Sequence, residues 1–271
     1  MGCTANLKPQ EITIYGSSLS PSTRSIRWLL SKLLIQHKFE PVSIPGGILS
    51  DKYQSGDRGQ DKLEKEDCEA GFLNPLYSQK VNKNGYLPVF DIDGRKIYEA
   101  LSIISYILSK FDKSELYYQR KDLFKKAQND PWFALSRHVD RPAIEMTRVD
   151  LKNSPIFYLD PLLDSGESLE AIENIKQYLD NLNELWPSHG FLTGKQISIV
   201  DVFLYNEILN NVTIMKVDLA EFPKVKGWYE RVEQDNKIQN EKTMFQMELD
   251  KQNSFQATSL GKNGNDQNGE I

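Results

Sequence analysis

The chain has 271 residues, which is enough for two modest domains that each bury a core of their own. Its composition, 39% hydrophobic and 26% charged, is that of an ordinary globular protein, and no apolar run approaches the ~20 residues of a membrane-spanning helix. A formal net charge of −5, without a cluster of Lys and Arg, argues against a nucleic-acid partner.

The first residues carry two signals about location. Cys3 and Cys68 stand far apart without a CxxC motif, and the start lacks the apolar core of a secretory signal, so we expect a reducing cytoplasm. Gly2 followed by Cys3 is a common beginning of doubly acylated proteins, although Asn6 stands where the myristoylation pattern has Ser or Thr. Membrane association is therefore expected only if Gly2 and Cys3 are acylated.

The first periodic segment predicts a strand followed by a helix. Residues 11–15 read as a short strand, and Gly16 begins a turn that leads away from it. Ser20 is a suitable N-cap and Pro21 suits the first helical position, so we expect the helix to begin there. The apolar stripe of this helix consists of Ile26, Leu29, Leu30, Leu33 and Leu34.

The next elements complete a small sheet. A second strand is predicted over residues 39–44, at a sheet edge because Pro41 has no N–H to donate. Residues 45–71 are charged and lack sustained periodicity, and we interpret them as a polar insertion. Two short strands, 86–92 and 95–98, follow with the Asp-Gly signal of a tight hairpin between them.

An amphipathic helix from Leu101 to about Lys110 ends this half of the chain. The order β-α-β-insertion-β-β-α is that of the thioredoxin fold, whose sheet mixes parallel and antiparallel strands. We therefore predict an α/β thioredoxin-like domain over residues 11–111.

From residue 115 onward the pattern indicates helices and no strand, which predicts an all-α domain over residues 115–250. Ser198 and Asp201 form a capping-box variant at the start of one of these helices. Residues 251–271 are rich in Asn, Gln, Gly and Ser, which is typical of a disordered tail. The predicted helices span residues 115–129, 131–148, 168–186, 199–215 and 223–234.

Short motifs stand in a consistent order at residues 15–16, 20–27, 74–75, 86–90, 99–107, 191–194, 198–201 and 222–229. Together they resemble the soluble glutathione S-transferase superfamily, and in particular its serine-type theta, zeta and tau classes. The resemblance spans residues 11–234 and implies the glutathione transferase architecture, a thioredoxin-like domain that binds glutathione followed by an all-α C-terminal domain. It further implies glutathione as the co-substrate and a homodimer.

The resemblance implies that Ser20 is the catalytic residue. Glutathione's thiol is mostly protonated in neutral water, so a catalyst must stabilise the thiolate, for which a hydroxyl donor at a helix N-terminus is suited. In the serine-type classes a serine just ahead of the first helix has this role. Ser17, Ser18 and Ser22 remain alternatives, and a helix cap alone would also account for Ser20. Disulfide-exchanging members have a cysteine at this place, so a serine favours addition or substitution chemistry.

The resemblance also implies three residues that bind glutathione. Pro88 matches the family's cis-proline, which leaves the backbone of Leu87 exposed to pair with the cysteinyl part of the tripeptide. An ordinary edge-strand proline is the alternative. Glu99 matches the acid that holds the γ-glutamyl ammonium group, although an acid is also favoured at any helix N-terminus.

Two positions depart from the family's pattern. Ala100 stands where members usually have Ser or Thr, so that only its backbone amide remains to bind the γ-glutamyl carboxylate. Tyr86 stands where many members have a lysine that meets the glycyl carboxylate. Lys80, Lys83 or a residue of the polar insertion could replace that lysine.

The electrophile pocket is expected between the domains, on the helix that carries Trp132 and Arg137. Trp132 could instead belong to the core. The histidines lack metal-ligand spacing, so we predict no metal site; they are His37, His138 and His189.

Two functions follow from these residues. The first is an enzyme, a glutathione transferase that joins glutathione thiolate, stabilised by Ser20, to small electrophiles in a detoxification role. The second is a non-catalytic binding or dimerisation module of the same fold, which Ala100, Tyr86 and the polar insertion would favour.

Overall fold

The computed structural model of the chain describes residues 10–42, 75–134, 166–185 and 190–263. Four strands lie in the first part, and helices make up most of the remainder. The strands are β1 (Ile12–Gly16), β2 (Lys38–Pro41), β3 (Val89–Ile92) and β4 (Arg95–Tyr98). The helices are α1 (Pro21–Lys32), α2 (Pro75–Lys80), α3 (Ala100–Phe111), α4 (123–134), α5 (Gly166–Leu185), α6 (Ile199–Thr213), α7 (Pro223–Glu233) and α8 (Asn236–Asn263), with a 3₁₀ turn at Leu219–Glu221.

The strands form one mixed sheet in the order β2-β1-β3-β4. β1 is parallel to β2 and antiparallel to β3, and β3 is antiparallel to β4. Asp93 and Gly94 have φ angles of 53° and 80°, because a two-residue hairpin of this twist needs both central residues in the left-handed region. The predicted thioredoxin-like fold class, the hairpin and the edge position of the second strand are confirmed.

Helix α1 lies between the sheet and the helical half of the chain. Its side chains are buried from Thr23 to Leu30, so the helix has apolar contacts on more than one face. Trp28, Leu29 and Ile26 are fully buried in the main core, which continues without a break into α6 and α7. The two halves therefore share one hydrophobic core, and α1 is their common element.

Helix α6 is buried along most of its length and begins with the predicted capping box. The hydroxyl of Ser198 accepts the backbone N–H of Asp201 at 3.4 Å, and the Asp201 carboxylate accepts the N–H of Ser198 at 2.9 Å. The same carboxylate accepts the N–H of Leu192 at 2.7 Å and the indole N–H of Trp228 at 2.9 Å. One acidic residue thus joins the loop before α6, its first turn and helix α7.

Helix α4 begins at residue 123 rather than at residue 115 as predicted. The Asp112 carboxylate accepts the N–H groups of Leu116 and Tyr117 at 3.0 and 3.1 Å, which folds this segment into turns. Asp122 then accepts the N–H groups of Phe124 and Lys125, both at 3.1 Å, and caps the helix. The helix continues through the predicted break before residue 131, and residues 135–148 of the next predicted helix lie outside the described residues.

The prediction of a disordered tail is wrong for residues 251–263, because α8 continues to Asn263. No proline interrupts residues 236–263, and the amide side chains that suggested disorder are compatible with an exposed helix. Ile238, Phe245 and Leu249 are buried on α8 and hold it against the core. Residues 264–271 and the polar insertion at 45–71 lie outside the described residues.

Among the helices that the structure describes, none combines the length and the apolar character that crossing a membrane requires.

Candidate active site

Three segments that sequence analysis singled out leave the sheet at the same end. The register pairs Tyr15 of β1 with Val89 of β3, and Val89 with Tyr98 of β4. Neighbouring strands are about 4.8 Å apart, so this row is ~10 Å wide. β1 and β4 end here and β3 begins here, because β3 runs against both. The segments beyond the row are residues 17–20, 87–88 and 99–100.

Ser20 is the N-cap of α1. Its hydroxyl oxygen accepts the backbone N–H of Thr23 at 3.3 Å, and its side chain is half-buried. A serine hydroxyl has one proton and two lone pairs. Within the described part of the chain that proton has no acceptor, so the Ser20 hydroxyl keeps a donor at the positive end of the helix dipole.

The other serines of the loop differ in exposure and contacts. Ser17 and Ser18 are 4% and 7% exposed. The Ser17 hydroxyl accepts the N–H of Leu19 at 3.2 Å, and the Ser18 hydroxyl accepts a guanidinium N–H of Arg27 at 3.3 Å. Both therefore belong to the internal structure of the loop. Ser22, in the first turn of α1, is half-buried.

The peptide bond between Leu87 and Pro88 is cis, as predicted. Leu87 is half-buried, and within the described residues neither its N–H nor its C=O makes a hydrogen bond. The carbonyl of the preceding Tyr86 accepts the hydroxyl of Tyr77 at 2.9 Å and the amide of Asn82 at 3.0 Å. Two buried side chains of the α2 region thus hold this segment, and sequence analysis did not single them out.

Glu99 and Ala100 form the start of α3. Glu99 is exposed, has a φ angle of 65°, and makes no side-chain capping bond. A φ angle in the left-handed region is unfavourable for a glutamate, and such conformations concentrate at binding sites. Ala100 is 8% exposed, so almost all of this residue is buried at the start of α3.

The predicted electrophile pocket is described only in part. Trp132 of α4 is half-buried and packs against the main core. Its neighbour Phe133 stacks edge-on against Phe203 of α6, with ring centroids 5.6 Å apart. Arg137 lies outside the described residues, as do His138 and His189. Within the described ranges, no three His, Cys, Asp or Glu side chains are placed to share a metal ion.

Arg24, which no sequence motif assigned to the site, is fully buried where α1 packs against α6. Its guanidinium donates to the side-chain oxygen and the carbonyl of Asn206, both at 2.9 Å, and to the side-chain oxygen of Asn210 at 2.7 Å. It also donates to the carbonyl of Ser18 at 2.7 Å. Polar residues on a buried helix face are the sequence signal that could have indicated such a cluster.

Several charged groups meet where α1, α6 and α8 pack together. Burial lowers the pKa of Arg24 to about 10, although Glu207 and Glu241 oppose this. Burial raises the pKa of Glu241 to about 7, against the influence of Arg27 and Arg24. Arg27 forms an ion pair with Glu241 at 3.4 Å. Two arginines, Arg24 and Arg27, thus lie near two buried acids, Glu207 and Glu241, within the interface between the two halves.

Comparisons with known proteins identify the class. The model of the glutathione S-transferase N-terminal domain matches residues 14–115, and that of the C-terminal domain matches residues 162–240. Together these matches cover more than half of the chain. The protein belongs to the glutathione S-transferase superfamily.

A relative and two solved structures show the extent of the likeness. Glutathione S-transferase 1 of Dianthus caryophyllus is 31% identical over 151 residues, which are 55% of this chain and 64% of that protein. An epsilon-class glutathione S-transferase of Musca domestica has a TM-score of 0.66 at 18% identity, with 90% of this chain and 98% of that chain covered. A glutathione transferase homologue of Drosophila mojavensis, solved with bound glutathione, has a TM-score of 0.61 at 21% identity, with 90% and 97% covered.

Proposed function

We propose that this protein is a glutathione transferase of the serine type, in which Ser20 stabilises the glutathione thiolate for attack on small electrophiles. The observation that carries the proposal is the convergence at one sheet end of a hydroxyl donor, the backbone of Leu87 and the carboxylate of Glu99. The family membership and the relative solved with bound glutathione support glutathione as the co-substrate.

Each group matches one part of the tripeptide. The N–H and C=O of Leu87 would pair with the cysteinyl residue as a short strand addition. Glu99 would hold the γ-glutamyl ammonium group by a charge-assisted hydrogen bond, while the N–H of Ala100 meets the neighbouring carboxylate. The sulfur then lies toward the start of α1, where the Ser20 hydroxyl donates to it.

The reaction is a nucleophilic addition or substitution. The thiol proton leaves to solvent, and the helix dipole and the Ser20 hydroxyl stabilise the remaining thiolate. The sulfur lone pair forms a carbon–sulfur bond with the electrophile. In a substitution the leaving group departs with its bonding electrons; in an addition the π electrons of the attacked double bond move to the adjoining atoms, which take up a proton from solvent. Trp132 and Arg137 are proposed to line the electrophile pocket.

We also propose a homodimer in the cytoplasm. Leu123 and Phe124 at the start of α4 are 76% and 72% exposed, and a second copy of the chain is a suitable cover for such apolar surface. Light scattering during size-exclusion chromatography tests the assembly, and a monomeric mass would contradict it.

Titration calorimetry with glutathione, followed by a conjugation assay with chlorodinitrobenzene, tests the function. Ser20→Ala should lower kcat by roughly tenfold or more, because one thiolate donor is lost. Ser22→Ala, two residues further along the chain and also half-buried, is the matched control and should keep most of the activity. A protein that binds no glutathione at millimolar concentration would be the non-catalytic module instead.

A further inference from the structure

The loop that carries Ser20 is held by Arg24 of α1 and by Asn210 of α6, which lies in the helical half of the chain. Arg24 donates to the carbonyl of Ser18 at 2.7 Å, and the Asn210 side-chain amide donates to the carbonyl of Leu19 at 3.3 Å. Two successive carbonyls just before Ser20 thus accept hydrogen bonds from a buried polar cluster. We call Arg24, Asn206 and Asn210 the α6 clamp.

The clamp is rigid because its parts bond to one another. The Arg24 guanidinium has five N–H donors, and four of them make hydrogen bonds. Three of the four donate to Asn206 and Asn210 of α6, and the fourth donates to the Ser18 carbonyl. The Asn206 amide group donates to the Ser25 hydroxyl and to the Val202 carbonyl, both at 3.0 Å. Both oxygen and nitrogen of the Asn206 amide are therefore committed, which leaves it one orientation.

A further contact limits the position of the guanidinium. The Arg24 guanidinium carbon lies 4.5 Å from the centre of the Phe245 ring of α8. The planar fork is thereby held between a ring and two asparagines, and lysine, a single point charge, could not replace this geometry. These hydrogen bonds fix the position of loop residues 17–20 relative to α6.

We propose that Arg24 and Asn210 are positioning residues for the reaction, because they fix the loop that aims the Ser20 hydroxyl at the glutathione sulfur. The inference rests on the proposed role of Ser20. Loops are ordinarily more mobile than the elements they connect, whereas a donor to a reacting atom must be held within about half an ångström. The helical half would in this way set the geometry of a site on the sheet domain.

Asn210→Ala tests the clamp without endangering the fold, since Asn210 is only half-buried. The matched control is Asn183→Ala, because half-buried Asn183 of α5 accepts the N–H groups of Lys224 and Val225 at 2.9 and 3.4 Å, within the helical half alone. Both variants should lower the melting temperature by a few degrees. Only Asn210→Ala should affect the Ser20 loop.

Two measurements separate the outcomes. Hydrogen exchange of the amides at residues 18–20 should quicken on the order of tenfold in Asn210→Ala and stay unchanged in Asn183→Ala. The ultraviolet absorbance of bound glutathione thiolate, followed against pH, should shift in Asn210→Ala toward higher pH by about one unit, a tenfold loss of thiolate below the transition. The shift should be absent in Asn183→Ala.

Failure of the clamp and failure of the proposed function look different. Unchanged exchange at residues 18–20 in Asn210→Ala overturns the clamp, whatever the glutathione result. Quickened exchange together with an unmoved thiolate titration, in a protein where Ser20→Ala does move it, also overturns the positioning role. A titration that Asn210→Ala moves and Ser20→Ala does not would keep the clamp and assign the sulfur donor to another residue of the loop. If the wild-type protein shows no bound glutathione thiolate, both the proposed function and the positioning role are overturned.

Discussion

Trp28 of α1 donates its indole N–H to Asp235 Oδ1 over 3.1 Å, and Asp235 lies directly before the first residue of helix α8. Asp235 Oδ1 also accepts the N–H groups of Lys237 and Ile238, at 2.9 and 3.3 Å, which makes it the cap of that helix. Its other oxygen forms an ion pair with Lys32 at the end of α1. Burial acts to raise the pKa of Asp235, but the bonds from Lys32 and Trp28 outweigh burial and hold this pKa below its usual value.

Asp235→Ala should lower the free energy of unfolding by about 2–4 kcal/mol, because α8 loses its cap and Trp28 loses its acceptor. Asp218→Ala, which removes the exposed cap of the 3₁₀ turn, is the control and should cost about 1 kcal/mol or less. Urea denaturation at pH 7 measures both. The contribution of a carboxylate with a lowered pKa is lost as pH falls, so the difference between wild type and Asp235→Asn should shrink below about pH 4. Equal losses of unfolding free energy for Asp235→Ala and Asp218→Ala would contradict the role of Asp235 as both the cap of α8 and the acceptor for Trp28.

Glu241 should give stability a pH dependence opposite to that from Asp235. Burial raises its pKa to about 7, from an ordinary value of 4.5, against the influence of Arg27 and Arg24. Between these values the unfolded chain releases this proton while the folded chain keeps it, so the folded state binds more protons and stability falls as pH rises. The fall from pH 4.5 to 7 should be on the order of 2–3 kcal/mol.

Glu241→Gln should flatten that dependence, because glutamine resembles the protonated acid and does not titrate. Glu230→Gln, an exposed position on α7, is the control and should leave the slope of the wild type unchanged. Urea denaturation at several pH values between 4.5 and 8 gives the slopes. A Glu241→Gln slope equal to that of the wild type would assign the pH dependence to other groups.

Local signals predicted most of the fold. The Asp93-Gly94 pair predicted the hairpin, the spacing of apolar residues predicted α1, and Ser198 with Asp201 predicted the start of α6, because each signal lies within a few residues of the element it controls. The segments of the proposed site were predicted by resemblance, and the sheet register places them at one end.

Polar residues on a buried helix face could have indicated a polar cluster, but the sequence did not show which residues pair with one another. Arg24 reads as an exposed charge on an amphipathic helix, and its partners Asn206 and Asn210 stand far along the chain with no periodic relation to it. Helix α8 as a whole was not among the predicted helices, which ended at residue 234. Amide-rich composition is shared by disordered tails and exposed helices, and only tertiary contacts such as those of Phe245 decide between them.

Asp201→Asn should be among the most destabilising polar substitutions of the chain. The Asp201 carboxylate is fully buried and accepts N–H groups of Leu192, Ser198 and Trp228. In Asp201→Asn the side-chain NH₂ group would face at least one of these N–H groups, so that two donors meet and a hydrogen bond is lost. We expect a loss on the order of 3 kcal/mol or more. Ser198→Ala, which removes one hydroxyl from the same cap, should cost about 1 kcal/mol. Calorimetric melting compares them, and a loss for Asp201→Asn no larger than that for Ser198→Ala would refute the expectation.

Gly16→Ala should disturb the loop of residues 17–20 at its junction with strand β1. A Cβ at this position would lie 2.5 Å from Thr23 Cγ2 and 2.6 Å from Thr23 Oγ1, and Thr23 is fully buried, so β1 and the start of α1 would have to separate. Overpacking of this kind costs about 1–3 kcal/mol. Gly227→Ala on α7 meets open space and should instead stabilise by about 0.5–1 kcal/mol, because alanine is the better helix former.

The double variant Gly16→Ala with Thr23→Ala tests whether the contact with Thr23 is what limits this position. Removing Cγ2 and Oγ1 of Thr23 takes away the two nearest atoms, so part of the lost stability should return relative to Thr23→Ala alone. The thermal unfolding of the four proteins in this cycle measures the coupling. Additive losses would mean that the contact with Thr23 is not what limits this position.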